Sequence, residues 1–137
     1  AGVANIDEYN RNAEKKLYRI VFACDEIAEV LDKTGLSKQQ KDEILKIESE
    51  LSIIARQGRA FGIHLVLATQ RPDAAILNGQ IRNNIDTRIC GRADNVLSQI
   101  ILDNTDASDK IAKSSQGRFL TNSGKIFQAY WFDENIL

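Results

Sequence analysis

The sequence predicts an α/β fold built on a mostly parallel layered sheet, closed by a β-hairpin. Three observations carry that prediction. Two short, continuous apolar runs, "YRIVFAC" (18–24) and "IHLVLA" (63–68), have the character of strands buried on both faces. Segments of helical period separate and follow them. Finally, the strand-like alternation near the end breaks at Asn122-Ser123-Gly124, a hairpin turn signature.

Taken in order, residues 1–16 are polar and predict a lead-in without a clear start signal. The 18–24 strand follows. Ile27, Ala28, Val30 and Leu31 then keep helical spacing as far as Gly35. Ser37 and Gln40 stand at capping-box spacing and open a long helix with an apolar stripe of Ile44, Ile47, Leu51, Ile54 and Ala55. Gly58 and Gly62 bracket its end. After the 63–68 strand, Pro72 marks a turn and a short helix over about 75–83 leads to a third strand, "TRICGRA" (87–93). Two helical pieces near 95–102 and 106–112 precede the hairpin.

The 137 residues are one domain's worth of chain, and 43% apolar with 27% charged content is ordinary globular composition. A net charge of −1 excludes a broadly basic field, so any nucleic-acid contact must come from a local patch. No apolar run approaches the roughly 20 residues that cross a bilayer, and residues 1–16 lack the apolar stretch of a signal peptide. Cys24 and Cys90 sit inside strand-like runs and read as small buried hydrophobes in a reducing compartment, which predicts a cytoplasmic setting.

The chemistry concentrates at the ends of the first two strands. A buried strand that terminates in Asp25-Glu26 places two carboxylates at the carboxyl edge of a sheet, where open α/β folds bind ligands. There, one carboxylate can hold Mg²⁺ through water and the other can orient a water toward a γ-phosphate. The same acids are equally at home in the first turn of a helix, where they complement its dipole. The next strand ends in Thr69-Gln70, which in a parallel sheet would lie beside Asp25-Glu26, with Gln70 in reach of a γ-phosphate or its water. Arg59 occupies a glycine-flanked helix end, from which it can either reach a neighbouring subunit's site or sit as a surface cation at a helix C-terminus.

"GVANIDEYN", "IVFACDE", "ARQGRAFGIHLVLATQRPDAAILNGQIRNNIDTRI" and "SQIILD" together closely resemble the motor domain of the FtsK/SpoIIIE DNA translocases, across nearly all of the chain. They are similar also to the conjugation coupling proteins and the type VII secretion ATPases built on that motor. The resemblance implies the C-terminal portion of a RecA-like P-loop NTPase domain and an ATP- and Mg²⁺-dependent ring motor, hexameric in the family. It makes Asp25 the Walker B metal-side aspartate, Glu26 the catalytic glutamate, Arg59 a trans-acting arginine finger and Gln70 the sensor, with Thr69 on the nucleotide side. Arg71 and Arg82 match basic positions facing DNA. Asn78, Gln80, Asn83 and Asn84 add neutral groups able to touch a phosphate backbone. His64 falls within the family's GIH signature and is expected to be structural. Tyr130 and Trp131 are expected in the core.

Two departures bear on the cargo. The second pore segment reads "GRADNVLSQ", with Asp94, Asn95 and Gln99 where the family commonly carries positive charge, and is one residue shorter. The helix between Glu26 and Arg59 is longer than in the chromosomal translocases. Both point to a mobile-element branch. The sequence also holds no G-x-x-x-x-G-K-[ST]; Gly124-Lys125-Ile126 is the nearest approach, without the upstream glycine, the hydroxyl or a following helix. The phosphate-cradling half is therefore expected upstream of residue 1, and residues 1–137 are expected to form one partial motor domain, inactive alone. A membrane anchor would belong to regions outside this chain. The expectation is thus a DNA-translocating ATPase fragment serving conjugation or segregation. The alternatives are a motor that moves a secreted protein and an assembly module without catalysis.

Overall fold

The computed structural model describes residues 2–71, 79–131 and 133. They divide into two units, Ala1–Ile85 and Asp86–Leu137.

The first unit starts with a helix where a lead-in was expected. Asn5 accepts a hydrogen bond from the Glu8 amide at 2.9 Å and the Glu8 carboxylate accepts one from the Ala4 amide at 2.8 Å, opening α1 (Ile6–Asn12). Strand β1 (Ile20–Cys24) leads into α2 (Ile27–Leu31). The long helix α3 (Lys38–Phe61) begins at the predicted capping box, Ser37 and Gln40 bonding reciprocally. It ends at Gly62, whose φ of 75° is a left-handed C-cap. Ile6 lies directly over Gly62, where a Cβ would meet its Cδ1 at 2.6 Å, so this one glycine both caps α3 and seats α1.

Strand β2 (Ile63–Leu67) pairs parallel with β1, from Ile20↔Ile63 to Cys24↔Leu67. Leu65, Leu67 and Cys24 pack against the core of Ile27, Leu31, Leu51 and Ile81, the last from α4 (Gly79–Asn83). Both runs were expected to be covered on two faces. Among the described residues of this unit neither run is covered on both faces: Ile20, Val21, Phe22 and Ala23 of β1 and His64 and Val66 of β2 are exposed, while Cys24, Ile63, Leu65 and Leu67 are half-buried on the helix side. His64 therefore lies open rather than within a buried strand. The buried stripe of α3 also runs differently from the predicted one. Glu48, Leu51, Ser52 and Gly58 are buried while Ile47 is exposed, because Lys33 meets Glu48 at 2.7 Å and allows a carboxylate on the inner face. Pro72, Asn78 and the start of the helix expected over 75–83 lie outside the described residues.

In the second unit the predicted third strand contracts to β3 (Ile89–Cys90), which pairs antiparallel with β4 (Arg118–Thr121). Helices α5 (Asn95–Leu102) and α6 (Asp106–Lys110) fall where predicted. Asp94 caps α5, accepting from the Leu97 amide at 2.8 Å. Strand β5 (Ile126–Gln128) completes the predicted hairpin, turning at Gly124 with φ 84°. Leu102, Ala107, Ile111 and Leu120 form the core. Ser98, fully buried, donates to the Asn104 carbonyl at 2.7 Å and accepts from the Ala107 amide at 3.1 Å, joining α5 to the start of α6. Tyr130 and Trp131, expected in the core, are exposed at 101% and 87%. Cys24 and Cys90 are half-buried free thiols, and burial pushes the Cys90 thiol up, away from reactive thiolate.

Candidate functional site

The parallel ladder sets the site. Beyond the paired strands, the Ala68 amide donates to the Cys24 carbonyl at 2.8 Å and the Ile27 amide donates to the Ala68 carbonyl at 2.9 Å. The two strand ends are thereby sewn together at their carboxyl edge. Asp25 is exposed there, and Glu26, half-buried, stands at the N-cap of α2.

One Glu26 oxygen accepts a hydrogen bond from the Thr69 hydroxyl, and the other accepts from the Gln70 amide at 2.9 Å. These two donors, the hydroxyl foremost, together with the nearby Arg71 charge, hold the Glu26 carboxyl below the ordinary glutamate range. Its ionised form is an acceptor for a water proton. The Gln70 contact is made by its backbone, and its side chain is exposed. The Arg71 amide donates to the Thr69 hydroxyl oxygen at 3.0 Å, and the Arg71 guanidinium pairs with Glu29 of α2. Glu29 escaped the sequence reading. The signal available for it was an acid three residues after Glu26, on the same side of a helix.

The structure thus brings Glu26, Thr69, Gln70 and Arg71 together. It does not bring Arg59 to them. Arg59 sits in the last turn of α3, its carbonyl accepting from the Gly62 amide at 3.2 Å, at the opposite edge of the sheet. The seven residues from Gly62 to Thr69 run on the order of 20 Å at ~3.3 Å each. Arg82 is half-buried on α4, next to core residue Ile81.

As a Mg²⁺ ligand, exposed Asp25 offers one hard oxygen beside Glu26. No group of three or more His, Cys, Asp or Glu gathers to form a metal cage among the described residues. Mg²⁺ fits such a donor set, since it keeps several waters and is completed by phosphate oxygens.

No family model matches the chain. It is, however, 34% identical over 127 residues to the DNA translocase FtsK of Chlorobaculum tepidum, covering 91% of this chain and 14% of that protein. With the DNA translocase FtsK of Haemophilus influenzae it shares 33% over 129 residues, covering 91% of this chain and 23% of the relative. The structure of the pCW3 conjugation coupling protein TcpA, in a monomer form with ATPγS, superposes with a TM-score of 0.87 at 42% identity over 96% of this chain. The chain belongs to the FtsK/SpoIIIE family. This FtsK/SpoIIIE-type chain spans 38% of the TcpA chain and under a quarter of the two translocases. The cytoplasmic domain of the Thermomonospora curvata type VII secretion ATPase EccC shares the fold at 23% identity, with a TM-score of 0.66 over 87% of this chain. The fold is accordingly that of P-loop ATPase motor domains. No described helix of this FtsK/SpoIIIE-type chain is long and apolar enough to cross a membrane.

Proposed function

We propose that this chain supplies the metal- and water-handling half of an ATP-driven DNA translocase. The observation that carries the reading is the Glu26 carboxylate, fixed by Thr69 and Gln70 at the carboxyl edge of a parallel strand pair. In the complete protein, Asp25 would hold Mg²⁺, which when bound would supply positive charge beside the ATP phosphates. Glu26 orients and polarises the attacking water, and Gln70 reads the nucleotide state. Arg59 serves the neighbouring subunit's site, a role supported by its place at the far edge of its own sheet. This requires a closed ring, a hexamer in our reading. Arg71 and Arg82 contact DNA. The 42% identity with a conjugation coupling protein favours conjugative transfer over chromosome segregation. The motor works in the cytoplasm. Residues 1–137 contain no phosphate-cradle motif, so the isolated chain turns over no ATP.

The test uses the full-length protein that contains this chain. Glu26→Gln should keep ATP binding and lower DNA-stimulated turnover by roughly 10²–10⁴-fold. Arg59→Ala alone should also be inactive, and mixing it with Glu26→Gln subunits should restore turnover at interfaces that combine both intact residues. Full activity of Glu26→Gln refutes the assignment of the acid, and mixed rings without activity refute the trans arginine.

A further inference from the structure

The contacts around Thr69–Arg71 close a loop that the proposed catalytic scheme does not use. Glu26 is gripped by the Thr69 hydroxyl and the Gln70 amide, and Thr69 in turn accepts from the Arg71 amide at 3.0 Å. Arg71 extends its guanidinium to Glu29. Glu29 returns to the start through one turn of α2, its amide donating to the Glu26 carbonyl at 3.2 Å. A single three-residue segment therefore holds two carboxylates of one helix, Glu26 at its cap and Glu29 in its first turn.

Each oxygen of Glu26 accepts one protein donor, which fixes the orientation of the carboxylate and leaves only its remaining lone pairs for water. The Arg71–Glu29 pair is different in strength. Its side chains are 70% and 60% exposed, and such pairs are weak and screened by salt. A phosphate diester offers the same guanidinium a charged acceptor of matching fork geometry, so it can displace Glu29.

We propose that Glu29 is an internal stand-in for a nucleic-acid phosphate. It occupies Arg71 while no DNA is bound, which keeps Thr69–Gln70 closed on Glu26. A backbone phosphate that takes Arg71 from Glu29 draws the segment away and lets the Glu26 carboxylate turn to orient the attacking water. Glu29 is thus a positioning residue that makes turnover depend on cargo, acting through Arg71 and Thr69. This inference rests on the reading of Arg71 as a DNA contact and of Glu26 as the group that orients water.

The experiment measures ATP turnover of the full-length protein without DNA and with saturating DNA, for wild type, Glu29→Gln and Glu29→Ala. With Glu29 neutralised, DNA-free turnover should rise roughly two- to five-fold, the range an exposed ion pair can contribute. DNA-saturated turnover should stay near wild type, so the stimulation ratio falls, and less DNA should give half-maximal stimulation. Inorganic phosphate at the same phosphate concentration should not substitute for DNA, since it lacks the polymer's other contacts. A merely structural Glu29 would lower both rates together and leave their ratio unchanged, which overturns the proposal. So does an unchanged DNA-free rate and half-saturation in both variants while wild type remains DNA-stimulated. If wild type itself shows no stimulation by DNA, the translocase reading fails along with this one. If inorganic phosphate stimulates as well as DNA does, the stand-in is for a free anion and the nucleic-acid proposal is wrong.

Discussion

Gly58→Ala should destabilise the first unit even though alanine is the better helix former. Gly58 lies near the end of α3, away from any left-handed cap, so propensity alone favours alanine there by ~1 kcal/mol. A Cβ built at this position falls 2.9 Å from the Ile63 carbonyl oxygen, 3.1 Å from Ile54 Cγ2 and 3.4 Å from Ile63 Cβ. The closest neighbour is backbone at the start of β2, so it cannot swing aside as a side-chain tip can. The strand must move, and overpacking of this kind costs about 1–3 kcal/mol. The balance is a net loss of up to ~2 kcal/mol, or a fall in Tm of roughly 10 °C for a unit of this size. Urea and thermal unfolding followed by circular dichroism measure it, with Gln57→Ala at an exposed neighbouring position as the control, expected within ~0.5 kcal/mol of wild type. A displaced β2 also carries Thr69 with it, so the Thr69–Glu26 contact should weaken in the same variant. If Gly58→Ala raises Tm by the propensity increment, α3 and β2 do not approach as closely as the structure shows and the reasoning is wrong.

Thr69→Ala should move the Glu26 titration midpoint, followed by carboxyl ¹³C NMR, upward toward the ordinary glutamate range, while Thr69→Ser keeps it low. The folded-state value lies below the unfolded one. The associated stability is therefore present above the unfolded midpoint and lost as pH falls through the folded one, and Thr69→Ala should lose part of that increment near neutral pH. Ser98→Ala leaves the buried Ala107 amide without its acceptor and should cost about 1–3 kcal/mol, with faster hydrogen exchange at Ala107. Lys33→Met strands the Glu48 carboxylate, whose side chain is 7% exposed, and should cost about 2–4 kcal/mol in urea unfolding, with Lys33→Met/Glu48→Leu recovering most of it.

What the sequence revealed of the fold tracks how local each determinant is. The Ser37–Gln40 capping box, the Gly62 stop and the Asn122–Gly124 turn are decided within a few residues, and each stands as predicted. The parallel partnership of the two apolar runs followed from their composition and the helix between them. Glu48 could not be read as an inner-face residue, because what admits it is Lys33, fifteen residues away on another segment. Asn5 and Glu8 carried a usable start signal for α1 inside a stretch dominated by polar residues. Tyr130 and Trp131 show the reverse failure, since large apolar side chains at a hairpin's end carry no local sign of whether anything covers them. In the candidate site, the meeting of Glu26 with the second strand's end was legible. That the Gln70 backbone rather than its side chain would make the contact was not, nor was Glu29's hold on Arg71.

The pairing of Ile20 with Ile63 and of Glu26 with Thr69 share one offset of 43 residues. The Glu26 contact is therefore the strand ladder carried two rungs past its last paired residue, and parity governs it. A slip of one residue would set Glu26 against Ala68 or Gln70 and turn the apolar face of β2 outward, so the same hydrophobic pattern that seats the strand also guards the chemistry at its tip. Helix α3, by contrast, lies between the two strands in sequence, so its length enters both offsets equally. Whole turns added in its middle leave the rungs undisturbed and leave Arg59 where Gly62 places it. Length can change in the connecting helix while the site keeps time with the sheet.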